Sequence, residues 1–156
     1  MTQSGQYKVS LQNGAPRAIA AVHARLPMRD VPRSFGKYLD QVYAAGKSGA
    51  IKLDGQNIFI YRDAPGKTGE GDCAFGVGVK EAFVKTGNVE PTQLPTGRVA
   101  TTTHIGDYAG LGAAHDAVHQ WARANGHRLS RTRWEVYGHW KDGEPPRTDV
   151  FWLLES

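Results

Sequence analysis

Apolar positions along this chain change period in a fixed order, and the order occurs twice. "RAIAAVHA" and "RVATTTHI" each open a half as a strand with an Arg six residues before a His, Arg17 to His23 and Arg98 to His104. A helical stripe follows each. In the first half Phe35, Tyr38, Leu39, Val42 and Tyr43 recur at the spacing of one amphipathic face and the stripe stops at Gly46. In the second, Leu111, Ala114, Val118 and Ala122 make a thinner stripe that stops at Gly126. Two period-two runs then close each half: "NIFIYRD" and "DCAFGVGV" in the first, "RWEVYGH" and "DVFWLL" in the second, joined by turns rich in Gly or Pro. The predicted order is strand, helix, strand, strand, twice over. Two copies are too few for a solenoid, so the pattern predicts a duplicated α+β unit. One domain is expected over 1–156, with repeats at about 7–84 and 97–155 and a linker at 85–96, where "KTGNVEPTQLPT" has linker composition.

The second closing run carries an unusual residue. In "RWEVYGHW" strand alternation puts Glu135, Tyr137 and His139 on one face and Trp134, Val136 and Trp140 on the other. An isolated Glu in a strand ordinarily points at water, because a carboxylate is rarely buried without a partner. Pairing Tyr61 with Tyr137 sets Phe59 in the place of Glu135. One face then presents Phe59 and Tyr61 in the first half and Glu135 and Tyr137 in the second. An acid within an aromatic wall selects for positive charge, and a crevice between the two halves is the expected ligand site.

Bulk properties narrow the classes. The 156 residues carry a formal charge of +4, yet Lys and Arg are scattered singly. The one cluster, Arg128, Arg131 and Arg133, has no stacking platform beside it, so direct nucleic-acid binding is not expected. Cys73 is the single cysteine, which excludes an internal disulfide and fits a reducing cytoplasm. No signal-like segment and no apolar run of about eighteen residues occurs, so the expectation is a cytoplasmic protein without membrane insertion.

The run from Gly97 to Glu155, with "GRVATTTHIGDYAGL", "VHQWARANG", "RWEVYGHW" and "RTDVFWLLE", closely resembles the GyrI-like small-molecule-binding domain, and the first half resembles it more loosely. The same domain is the effector-binding part of AraC- and MerR-type multidrug regulators. The resemblance rests most on Gly106-Asp107-Tyr108, Trp121 and Trp134-Glu135-Val136-Tyr137. It implies a pseudo-two-fold α+β domain with mostly antiparallel sheet and two main helices. It also implies that Glu135 meets hydrophobic, cationic aromatic ligands, with Tyr137, Phe59, Tyr61, Trp152 and Tyr108 as further contacts and no cofactor. Room for a helix-turn-helix domain is lacking before Tyr7 or after Ser156, so a stand-alone ligand domain is expected. Two alternatives remain open. Some stand-alone members are hydrolases of strained cyclopropanoid natural products, in which case Glu135 is the general base and Tyr137 the hydrogen-bond donor. Others resemble gyrase inhibitors, which implies a protein partner.

Other motifs explain themselves more plainly. "HDAVH" has the His115 to His119 spacing of a zinc helix, but no third ligand accompanies it, and both imidazoles flank the apolar stripe, so solvent exposure and no metal are expected. "PGKTGEG" lacks the glycine that a phosphate loop requires, because that position is Tyr61; it predicts a glycine hairpin. Cys73 is read as a small strand residue, His23 and His104 as strand residues with local partners, and Trp121 as core.

Overall fold

A computed structural model describes residues 7–64, 68–139 and 141–155. In chain order the elements are β1 (Ser10–Gly14), β2 (Ala18–Pro27), α1 (Val31–Lys47), β3 (Leu53–Asp63), β4 (Glu70–Val79), β5 (Glu90–Gln93), β6 (Gly97–Ile105), α2 (Leu111–Ala124), β7 (Leu129–Tyr137) and β8 (Arg147–Leu154). This is an α+β fold with two helices. The chain forms two compact units, one of Pro16–Leu94 and one of Met1–Ala15 with Pro95–Ser156.

Within the unit of Pro16–Leu94 the strands run β3-β4-β2-β5, each antiparallel to its neighbour. α1 has Pro32 in its first turn, where a missing N–H costs nothing, and buries Leu39, Val42 and Ala45. Aromatic rings fill the space between α1 and the sheet: Phe35 meets Phe59 at 5.5 Å, and Tyr38 stacks on Phe75 at 5.6 Å. The expected linker is more than a linker. Thr86 and Val89 exchange backbone hydrogen bonds of 3.0 and 2.9 Å, and β5 then pairs with the edge of β2. A four-residue polar strand has no period to read, and only its partner's edge makes it a strand.

In the other unit the order is β7-β8-β6-β1, again antiparallel throughout. β1 lies far upstream in sequence and pairs with β6 from Ser10 opposite Thr101 to Gly14 opposite Gly97. The core beneath α2 joins Leu111, Ala114 and Val118 to Ala100, Val150 and Trp152. Gly126 ends the helix in the left-handed region, φ 72°, with His127 N–H donating back to the Ala122 carbonyl at 2.9 Å.

The two units therefore share one strand order, which is compatible with duplication. Their registers correct one detail. A three-residue 3-10 turn leads directly into each helix, so Val31 matches Leu111 and Ala24 matches His104. Sheet pairing agrees: Ala24 and Tyr61 both face Cys73, and His104 and Tyr137 both face Thr148. Tyr61 thus corresponds to Tyr137, but His23 does not correspond to His104. A slip of one residue in a strand reverses the face. His23 is accordingly exposed, bonded to Thr92 Oγ1 at 3.0 Å, whereas His104 is buried. Trp140, assigned to the apolar face of β7, lies outside the described residues, as do Pro65, Gly66 and Lys67 of the expected glycine hairpin.

Candidate functional site

β7 begins the site. Its alternation, set by Trp134 and Val136 on one face, sends Glu135 and Tyr137 to the face that α2 covers, and Glu135 is only 7% exposed. Both carboxylate oxygens have a donor. Tyr137 donates its O–H to Oε1 at 2.5 Å, and His115 Nε2 lies 2.7 Å from Oε2. His115 stands on α2 directly after Ala114 of the apolar stripe, and its Nδ1 is 3.0 Å from Nε1 of Trp152 on β8. An indole N–H can only donate. Nδ1 must therefore accept, and the imidazole proton sits on Nε2, where it donates to Glu135. Trp152, His115, Glu135 and Tyr137 form one directional chain of hydrogen bonds.

Rings close around this chain. The His119 ring packs edge-on to Trp152 at 4.4 Å, and the Arg133 guanidinium lies 5.2 Å over the same indole. Burial, and after it the charge of Arg123, holds His119 below the ordinary imidazole pKa of 6.5, with Arg133 adding to this and Asp116 opposing it. Tyr108 meets Tyr137 edge-on at 5.6 Å and is 52% exposed. The turn that carries Tyr108 is anchored from below. His104 Nε2–H donates to the Asp107 carbonyl at 2.8 Å, and its Nδ1 accepts from the Tyr7 hydroxyl at 2.9 Å. Gly110 gives that ring room: a Cβ there would come within 3.0 Å of His104 Cε1.

The matched positions of the other unit show what the fold itself requires. By the registers above, His115 corresponds to Phe35, Glu135 to Phe59 and Trp152 to Val77. Where one unit has two phenyl rings in contact, the other has a hydrogen-bonded imidazole and carboxylate. An apolar pair fills that place adequately. The polar pair is an addition with a desolvation cost, which makes it the candidate site of this unit.

The profile of the GyrI-like small molecule binding domain matches residues 7–152. The chain belongs to the GyrI-like family. This GyrI-like domain resembles the EcmrR C-terminal domain, with a TM-score of 0.71 at 18% identity over 96% of this chain and 98% of that one. Against the EcmrR chain in its DNA complex the TM-score is also 0.71, at 21% identity over 96% of this chain, and the domain spans 58% of that chain. SAV2435 bound to tetraphenylphosphonium gives 0.66 at 12% identity, over 96% of this chain and 94% of that one. At such identities the likeness is one of fold. No curated protein sequence matches the chain.

Within the GyrI-like domain, then, Glu135, Tyr137, Tyr108 and Trp152 share one unit and one cluster. Phe59 and Tyr61 lie in the other unit, buried against Phe75 at ring distances of 5.2 and 6.3 Å. Glu135 does not point at water, the ordinary expectation for a strand Glu. The solvent exposure expected of both imidazoles fails for His119, which packs on Trp152, and still more for His115. The latter is largely buried and bonded to Glu135 and Trp152, because the carboxylate across from it gives a polar side chain reason to turn inward. One signal was available: at the matching helical position Phe35 belongs to the apolar stripe. Cys73 is buried in β4, and Trp121 flanks the core and stacks on His127 at 5.1 Å. Among the described residues, no group of His, Cys, Asp and Glu has the arrangement of a metal site, and no helix is long and apolar enough to cross a membrane. A separate polar cleft of about 470 Å³ is lined by Thr101, Thr103, Arg147 and Asp149, and there Asp149 is already engaged by Arg147 at 3.2 Å and Thr103 at 2.7 Å.

Proposed function

We propose that this domain reversibly binds hydrophobic, cationic aromatic small molecules at Glu135, as a drug sensor or sequestering protein. The observation that supports the reading is a buried carboxylate whose two oxygens are held by Tyr137 and by a His115 oriented through Trp152. When that imidazole is neutral, both donors lack formal charge, so the carboxylate's charge is oriented and available to a cation. At 4 Å and an effective dielectric near 20 such a pair gains ~4 kcal/mol before desolvation is subtracted. Tyr108 and Tyr137 stand beside it, and a ring face turned to a desolvated cation is worth ~0.5–2 kcal/mol. The tetraphenylphosphonium carried by the structural neighbour SAV2435 is a ligand of this class and a suitable probe.

The hydrolase reading uses the same residues but fits the hydrogen bonds less well. Tyr137, the donor which that reading gives to the leaving group, already donates its O–H to Glu135. A gyrase-like protein partner has no surface feature in its favour, and the scattered basic residues favour no direct contact with DNA.

Glu135→Gln keeps the shape and removes the charge. Titration calorimetry with tetraphenylphosphonium is expected to show about tenfold weaker binding or more, a loss of ~1.4 kcal/mol or above, while neutral triphenylphosphine oxide binds as before. Equal affinity of wild type and variant for the cation would refute the proposal.

A further inference from the structure

We infer that Trp152 sets the charge selectivity of the Glu135 site by forcing His115 to meet the carboxylate as a neutral N–H donor. The inference rests on the cation-binding reading above and assigns the residue that maintains it. His115 Nε2 is 2.7 Å from Glu135 Oε2. An imidazole doubly protonated in this place would be the site's own cation. An internal ion pair would then stand where the ligand's charge is needed. Trp152 Nε1 opposes this from 3.0 Å, because its hydrogen already engages the one Nδ1 lone pair that a second proton would need.

The groups around His115 carry charges of both signs, so its proton is placed by the hydrogen bonds. From β7 come the Glu135 carboxylate, the Arg133 guanidinium 5.2 Å over the Trp152 ring, and the Tyr137 hydroxyl, already donated to Glu135. From α2, Asp116 follows His115 directly and His119 stands one turn on, packed against Trp152 and held toward its neutral form. Tyr108, on the turn before α2, reaches Tyr137. The matched triplet in the other unit, Phe35, Phe59 and Val77, contains no polar atom to direct. Trp152 is thus a positioning residue. It acts on the ligand through His115 and Glu135.

Trp152→Phe keeps an aromatic ring in the core and deletes the one hydrogen in question. Long-range ¹⁵N correlation spectra of histidine-labelled, ligand-free protein are expected to show His115 as the Nε2–H tautomer in wild type from about pH 6 to 8, and as a titrating imidazole in the variant. Tetraphenylphosphonium affinity should stay within about twofold across that range in wild type and weaken about tenfold toward pH 6 in the variant. Triphenylphosphine oxide should respond to neither change, which a merely loosened core would not reproduce. A wild-type His115 that is doubly protonated or carries its proton on Nδ1 overturns the inference without any variant, even if Trp152→Phe fails to fold. A flat pH profile in Trp152→Phe also overturns it while leaving the cation reading intact, provided Glu135→Gln loses affinity. If Glu135→Gln binds the cation normally, both fall together.

Discussion

A carboxylate is costly to bury, and Glu135 is buried with a hydroxyl on one oxygen and an imidazole on the other. The sequence placed Glu135 and Tyr137 on one face, since strand alternation is a local rule. It did not place His115, because whether a flanking helix residue turns inward depends on what faces it across the core. His119 is the neighbouring case and gives a test at this scale. Its pKa lies below 6.5 in the folded protein, chiefly through burial and then the charge of Arg123. As pH falls below 6.5 the unfolded chain takes up this proton first, so the stability contributed by neutral His119 is present above that value and is lost as pH falls through the folded one. Melting temperature should therefore drop less steeply between about pH 7 and 5 in His119→Gln than in wild type. Parallel calorimetric curves for the two proteins would show that His119 has no part in the acid response.

At the scale of elements, helices and inner strands were legible because each has a long enough period. α2 begins with its stripe at Leu111 and stops two residues before Gly126, whereas α1 begins about one turn before its stripe and runs through Gly46 to Lys47. β1 and β5 were not legible, being short, polar and defined only by the edges they join. Glycines in the two kinds of element should respond oppositely to a methyl group. At Gly76 in β4 a Cβ would lie 2.8 Å from the Ala20 carbonyl oxygen and 2.9 Å from Ile19 Cδ1, so Gly76→Ala should cost ~1–3 kcal/mol by overpacking. At Gly112 in α2 nothing lies within 4 Å, and Gly112→Ala should stabilise by ~0.5–1 kcal/mol through helix propensity. Urea midpoints that move in the same direction for both would contradict the packing around Gly76.

For the whole molecule, the telling feature is that the segment up to Ala15 joins the unit made by Pro95–Ser156. β1 covers the edge of β6, Tyr7 donates to His104, and Thr102 Oγ1 donates to the Lys8 carbonyl at 2.9 Å. Removing residues 1–14 should bare the β6 edge and loosen the turn that holds Tyr108. The expected outcome is a lower melting temperature with concentration-dependent association in size-exclusion chromatography, since unpaired edges recruit other chains. A truncated protein that stays monomeric with an unchanged melting temperature would mean that β1 is dispensable.

What the sequence determined by itself was periodic or punctuated: the strand-helix-strand-strand order, the stop of α2 before Gly126, the shared face of Glu135 and Tyr137, and the motifs of the GyrI-like family. Local rules suffice for these, because alternation and the 3.6-residue repeat act within one element. Tertiary structure alone decided the register by which His104 matches Ala24 rather than His23, since a one-residue slip costs nothing until sheet partners fix the face. It also decided the inward turn of His115 and the hydrogen bond from Trp152, because both need a strand and a helix distant in sequence to bring a donor and an acceptor within 3.0 Å.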